Sequence, residues 1–105
     1  MQFVETPVFT RALLSLLSDD DYRSLQLALM LRPDAGDLIP GSGGLRKFRW
    51  SLPGKGKRGG ARLIYYWQRG GAVIHMLFIY AKSRQKDLTP QQLRTLSKLV
   101  KENLK

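Results

Sequence analysis

Val73-Ile74-His75-Met76-Leu77-Phe78-Ile79-Tyr80 is the stretch that decides how this chain folds. Apart from His75 it is apolar at odd and even positions alike, the pattern of a strand covered on both faces. The strand is read as Ala72–Tyr80. A tight turn at Arg69-Gly70-Gly71 precedes it, and a second strand, Ala61–Trp67, precedes the turn. A third, Leu45–Trp50, lies before the Gly/Lys loop 53–60. These connections are too short for crossover helices, so the three strands are expected to form an antiparallel meander.

Upstream of the meander, Gly41-Ser42-Gly43-Gly44 closes a loop over residues 33–44. Pro33 ends a helix that begins at Ser18, with Asp19, Asp20 and Asp21 where the helix dipole favours negative charge. Tyr22, Leu25, Leu29 and Met30 form its apolar stripe, widened by Leu27, Ala28 and Leu31. An earlier helix has Thr6 as N-cap and Pro7 at its first position, and carries Phe9, Leu13, Leu14, Leu16 and Leu17 at helical spacing. Gln2–Glu5 reads as a short strand. Downstream, Thr89, Pro90 and Gln92 spell a capping box, followed by a stripe of Leu93, Leu96, Leu99, Val100 and Leu104. The order β-α-α-β-β-β-α predicts an α+β fold: helices on a small, mainly antiparallel sheet, in one domain over 1–105.

The 105 residues carry a net charge of +10, unevenly distributed. Residues 1–44 hold three basic and six acidic side chains. Residues 45–86 hold eleven basic ones and no carboxylate, and residues 87–105 hold four basic and two acidic. Ordinary solvated surfaces mix the two signs, so a long carboxylate-free block points to a polyanionic partner. An anionic membrane is disfavoured, because the charges sit in strand-like sequence and not on an amphipathic helix. No apolar run is long enough to span a bilayer, and Met-Gln-Phe-Val-Glu has no signal-peptide pattern. The lack of cysteine removes disulfides, thiolate nucleophiles and Cys-based zinc sites, and fits a reducing, cytoplasmic setting.

Several chemistries are excluded by inspection. Counting from Gly41 puts Arg46 where a phosphate loop requires its second glycine, and Gly54–Gly60 lacks the Gly-Lys-Ser/Thr ending. His75 is the only histidine, so no histidine pair exists; mid-strand, it reads as a packed sheet histidine. The three aspartates are explained by their helix terminus. No metal or other cofactor is expected. What remains is cationic: Lys55, Lys57 and Arg58 on the glycine loop, Arg62 at the start of a strand, and Tyr80 and Lys82 at the end of its partner. Antiparallel pairing brings the start of one strand to the end of the next, so Lys55, Lys57, Arg62, Tyr80 and Lys82 are expected to converge. Arg46, Lys47, Arg49, Arg58, Arg84 and Lys86 are further candidates for contact with a polyanion such as RNA.

Such a cluster suits RNA cleavage by the ribose 2′-hydroxyl. The phosphorane-like transition state gains negative charge that fixed Arg and Lys groups stabilise. With one histidine and no carboxylate in the block, a lysine is left as general base, its pKa lowered by cationic neighbours. Trp50, Tyr65, Tyr66, Trp67 and Tyr80 interleave with the cations and offer stacking surfaces or core packing.

Three stretches together resemble the RelE/HigB family of type II toxin–antitoxin toxins, most closely its HigB-like branch. They are Gly43-Gly44-Leu45-Arg46-Lys47, Gly54 to Tyr66, and Ile79-Tyr80-Ala81-Lys82 followed by Asp87-Leu88-Thr89. The resemblance spans almost the whole chain. It implies a RelE-like fold and a metal-independent, ribosome-dependent endoribonuclease that cuts mRNA in the ribosomal A site and arrests translation. It also implies a cognate antitoxin, usually with a helix-turn-helix DNA-binding domain, through which the complex meets operator DNA. By this resemblance Lys55 and Lys57 assist deprotonation of the 2′-hydroxyl, Arg62 contacts the scissile phosphate, and Lys82 or Arg84 fills the basic position after the last strand. RelE also uses a tyrosine near its C-terminal element. Asp87-Leu88-Thr89 has none, which leaves the leaving-group acid open. Two rival readings are a ParE-like gyrase poison and a non-catalytic basic module that grips nucleic-acid phosphates.

Overall fold

The computed structural model describes residues 1–51, 60–68 and 70–105. In chain order the elements are β1 (Gln2–Glu5), α1 (Pro7–Leu16), α2 (Asp19–Leu31), β2 (Asp37–Leu38), β3 (Leu45–Trp50), β4 (Ala61–Trp67), β5 (Val73–Ala81) and α3 (Pro90–Leu99). The last helix continues as a π-helical stretch over Val100–Leu104. This is the expected order with one addition, the two-residue strand β2 inside the 33–44 loop. Among the described residues no helix is long and apolar enough to cross a membrane.

The five strands form one sheet in the order β1-β5-β4-β3-β2. β3, β4 and β5 make the expected antiparallel meander, and β2 pairs antiparallel with β3. β1 lies parallel to β5, from Gln2 beside Val73 to Glu5 beside Met76. With β1 on one side and β4 on the other, β5 is internal, which accounts for its apolar sequence. The register shifts between Ile64 and Tyr65, so that Ile64 pairs with Phe78 but Tyr65 with Met76. Leu77 is the extra residue of this bulge. The parity of β5 therefore switches: Ile74 and Met76 face the same side as Ile79, while Leu77 joins Tyr80 on the other.

Each face of the sheet has its own core. On one, α1 and α2 bring Phe9, Leu13, Leu17, Leu25 and Leu29 onto Ala61, Leu63, Tyr65, Ile74, Met76 and Ile79. On the other, α3 and its extension cover Leu45, Ile64, Tyr66 and Leu77 with Leu93, Leu96, Leu99 and Val100. The helix starts follow the sequence closely. Thr6, Ser18 and Thr89 each accept a backbone N–H three residues on, and Gln92 closes the reciprocal bond of the capping box. The α2 stripe is narrower than the sequence suggests: Leu25 and Leu29 are buried, whereas Leu27, Met30 and Leu31 are exposed, as is Leu14 of α1. A hairpin lying flat on a sheet buries one row of each helix, and these residues lie outside that row.

The loop before β3 is fastened from beneath. The Tyr65 hydroxyl donates to the Pro33 carbonyl (2.7 Å) and accepts the Gly36 N–H (2.9 Å). A Cβ at residue 36 would lie 2.8 Å from the Tyr65 ring, so only glycine lets the backbone pass this close.

Candidate functional site

On the face that α3 packs against, β4 alternates Arg62, Ile64 and Tyr66. Arg62 pairs directly with Arg49 on β3 and with Tyr80 on β5. Directly paired residues project from the same face, so Arg49, Arg62 and Tyr80 form a row across three strands. One row along, Lys47, Ile64 and Phe78 are paired in the same way. The expected meeting of Arg62 with Tyr80 is thus built into the sheet register. Lys82 follows directly on β5, and its backbone N–H donates to the Gly60 carbonyl at 2.9 Å.

Arg62 is the unusual member. It is only 8% exposed, yet the one hydrogen bond of its side chain among the described residues runs to the adjacent Ala61 carbonyl, at 3.3 Å. No carboxylate lies within ion-pairing distance among the described residues, and residues 52–59 and 69 contain none. A buried charge is costly unless it is paired, so a guanidinium with no ion-pair partner among the described residues is a candidate contact for an anion. Beside it, the buried Tyr80 hydroxyl has no hydrogen-bond partner among the described residues. Burial pushes the Tyr80 pKa above its ordinary value, Asp87 adds to the rise, and Arg62 opposes it. The phenol is accordingly a proton donor at neutral pH.

Asp87 brings a carboxylate to this row of cations. Lying between β5 and α3, it receives the Lys47 ammonium at 2.9 Å, and that bond and charge hold its carboxyl below the usual range. Arg62 and Lys86 add to the effect. The sequence reading missed Asp87, because the carboxylate-free block ends one residue before it. Nothing local signals a partner forty residues away.

The other candidates are spread more widely. Arg49, Lys82, Arg84 and Lys86 are exposed, and Lys47 is partly so. Arg46 is not part of the row: it donates to the carbonyls of Asp34 (3.1 Å) and Gly36 (2.8 Å), bracing the loop before β3. Lys55, Lys57 and Arg58 lie outside the described residues. Of the aromatic set, Tyr65 is buried, Trp50 packs against the hairpin-side core and Tyr66 against the α3 side. His75 bonds Gln68 through Nε2 (2.7 Å), stacks on Tyr66, and has its pKa lowered by burial. It sits five residues from Tyr80, about 17 Å along the strand, and belongs to the packing. Asp19, Asp20 and Asp21 occupy the first turn of α2.

Comparison with known proteins places this arrangement on a known scaffold. No protein-family model matches the sequence. Two solved structures do resemble the chain in three dimensions. The Escherichia coli toxin RelE, in the free state as a double arginine-to-alanine mutant, aligns over 98% of this chain and 97% of its own. The TM-score is 0.54 at 16% identity. The intact E. coli RelBE toxin–antitoxin complex aligns over 74% of this chain and 92% of the matched chain, with a TM-score of 0.55 at 15% identity. From β1 to the last helix, the chain has the fold of RelE.

Proposed function

We propose that this protein is the toxin of a type II toxin–antitoxin pair, of the RelE family and its HigB-like branch, and that it cleaves mRNA in the ribosomal A site. The observation that carries the reading is Arg62: a buried guanidinium beside the Tyr80 hydroxyl, neither of them with a carboxylate or hydroxyl partner among the described residues, on a RelE fold. In this reading the ribose 2′-hydroxyl attacks the adjacent phosphorus, the bond to the 5′-oxygen breaks, and a 2′,3′-cyclic phosphate remains. Arg62, with Lys82 nearby, stabilises charge on the phosphorane oxygens, a role worth about 10²–10³ in rate per donor in comparable sites. Lys55 or Lys57 takes the 2′-proton, and in this reading Tyr80 is the acid that protonates the departing oxygen. Lys47, Arg49, Arg84 and Lys86 are the contacts offered to ribosomal or messenger RNA, and Arg46 and Arg58 are assigned to the same role from the sequence alone. No metal enters the scheme.

The partners follow from the same reading. They are the ribosome, the mRNA in its A site, and a cognate antitoxin with a helix-turn-helix domain that carries the complex to operator DNA, all in the cytoplasm. The test is mRNA cleavage in a purified translation system with and without ribosomes, using wild type, Arg62→Ala and Lys82→Ala. Ribosome-dependent cuts inside codons, lost in the variants, are the expected result. Intact mRNA with wild-type protein would overturn the reading and direct attention to gyrase supercoiling.

A further inference from the structure

The Lys47–Asp87 pair lies on the face that bears Arg62 and Tyr80. Lys47 stands on β3 one row from Arg62, and Asp87 lies in the connection from β5 to α3. Asp87 is near enough to the row for Arg62 to lower the pKa of its carboxyl and for its own charge to raise that of the Tyr80 phenol, so the contact lies beside those two residues. The Asp87 backbone is held independently: Gln85 donates to its carbonyl (3.0 Å) and to the Gln92 side chain (2.9 Å), next to the capping box of α3. The Asp87 side chain is 69% exposed, so it can rotate into solvent without moving the loop. Lys47 is better covered, at 33%.

We propose that Asp87 is a built-in competitor for the phosphate site of this protein, occupying Lys47 until an RNA phosphate displaces it. A carboxylate and a phosphate oxygen offer an ammonium the same charge-assisted hydrogen bond. In the free protein Asp87 makes that bond. When a phosphodiester settles against Arg62 and the Tyr80 hydroxyl, Lys47 transfers to it and Asp87 turns outward. The competition makes the site selective for strong polyanions, since a weak or singly charged ligand does not repay the broken pair. The inference rests on the reading of this face as an RNA site, but it concerns binding and is tested without cleavage.

The experiment is calorimetric titration at low salt with inorganic phosphate and with a short RNA whose riboses are all 2′-O-methylated, which binds but has no attacking hydroxyl. Wild type is compared with Asp87→Asn, Asp87→Ala, Lys47→Ala and the Lys47→Ala/Asp87→Asn double variant. Glu102→Gln, on the extension of α3, supplies the same change in net charge away from the site. Both Asp87 variants are expected to bind the RNA about three- to tenfold more tightly than wild type, the scale set by a partly exposed pair and the loss of one repelling charge. The gain disappears in the Lys47→Ala background, and Glu102→Gln shows none. Equal or weaker binding by the Asp87 variants overturns the proposal, as does a gain that persists without Lys47. Tighter binding together with intact mRNA in the translation assay would leave this inference standing and remove the proposed function.

Discussion

Leu63 and Arg62 are neighbours on β4, both buried, and they face opposite ways. On the Leu63 side every side chain of the buried core is apolar or, in Tyr65, has its hydroxyl fully bonded. On the Arg62 side the apolar packing under α3 gives way, within one strand, to a buried guanidinium with no ion-pair partner among the described residues. Among those residues each face leaves one buried polar atom without a hydrogen-bond partner: the Trp67 indole N–H at the border of the hairpin-side core, and the Tyr80 hydroxyl next to Arg62 on the other face. The difference between the faces is therefore charge: only the α3 side buries a cation. On the proposed reading the strand divides its labour by parity, one face for stability and the other for binding.

The sharpest way to break this contrast is to change each neighbour separately. Leu63→Ala is expected to lower unfolding free energy by about 2–5 kcal/mol in denaturant titration, leaving cleavage per folded molecule unchanged. Arg62→Ala is expected to cut mRNA cleavage about 10²–10³-fold with little loss of thermal stability, because it removes a buried charge that has no ion-pair partner. If Arg62→Ala unfolded the protein, the division by parity would be wrong. Tyr80→Phe sharpens the point. Deleting a buried hydroxyl with no partner among the described residues should leave stability equal or raise it by up to about 1 kcal/mol, while slowing cleavage. The smallest effect concerns pH. Asp87 is held below its ordinary pKa of 3.8, so the contribution of its pair with Lys47 is present above that value and lost as pH falls through the depressed one. Wild type should therefore exceed Asp87→Asn in stability at neutral pH by at most about 1 kcal/mol, the scale of exposed pairs, and the difference should vanish in strong acid.

The features legible in the sequence were those written into adjacent residues. Thr6-Pro7, Ser18 before three aspartates, and Thr89-Pro90 with Gln92 carry their capping chemistry locally, and the structure has each helix starting there. The strands of the meander were legible because glycine-rich turns separate them. That Arg62 and Tyr80 come to the same end of the sheet followed from antiparallel geometry, whereas the register that pairs them directly did not. The parallel placement of β1 was not legible, since nothing local tells a four-residue strand which edge to join. Nor was β2, too short to show a period. Arg46 could have been separated from Lys47 and Arg49 by parity, because buried Leu45 fixes which face the odd residues of β3 share. The Lys47–Asp87 pair joins a strand to a loop forty residues on, which no local pattern encodes.

The sheet ends on one side at β1, four residues long, and on the other at β2, two residues long. β1 pairs with only Val73 to Met76 of β5, and β2 with only Arg46 and Lys47 of β3, so both borders of the sheet are stepped. An incoming chain meets each border in short offsets, and a templated ladder of hydrogen bonds would run for only a few residues before reaching a step. Long, straight strand addition is discouraged at both borders. Recognition of this molecule falls instead to its side chains, and thus to sequence rather than to main-chain geometry.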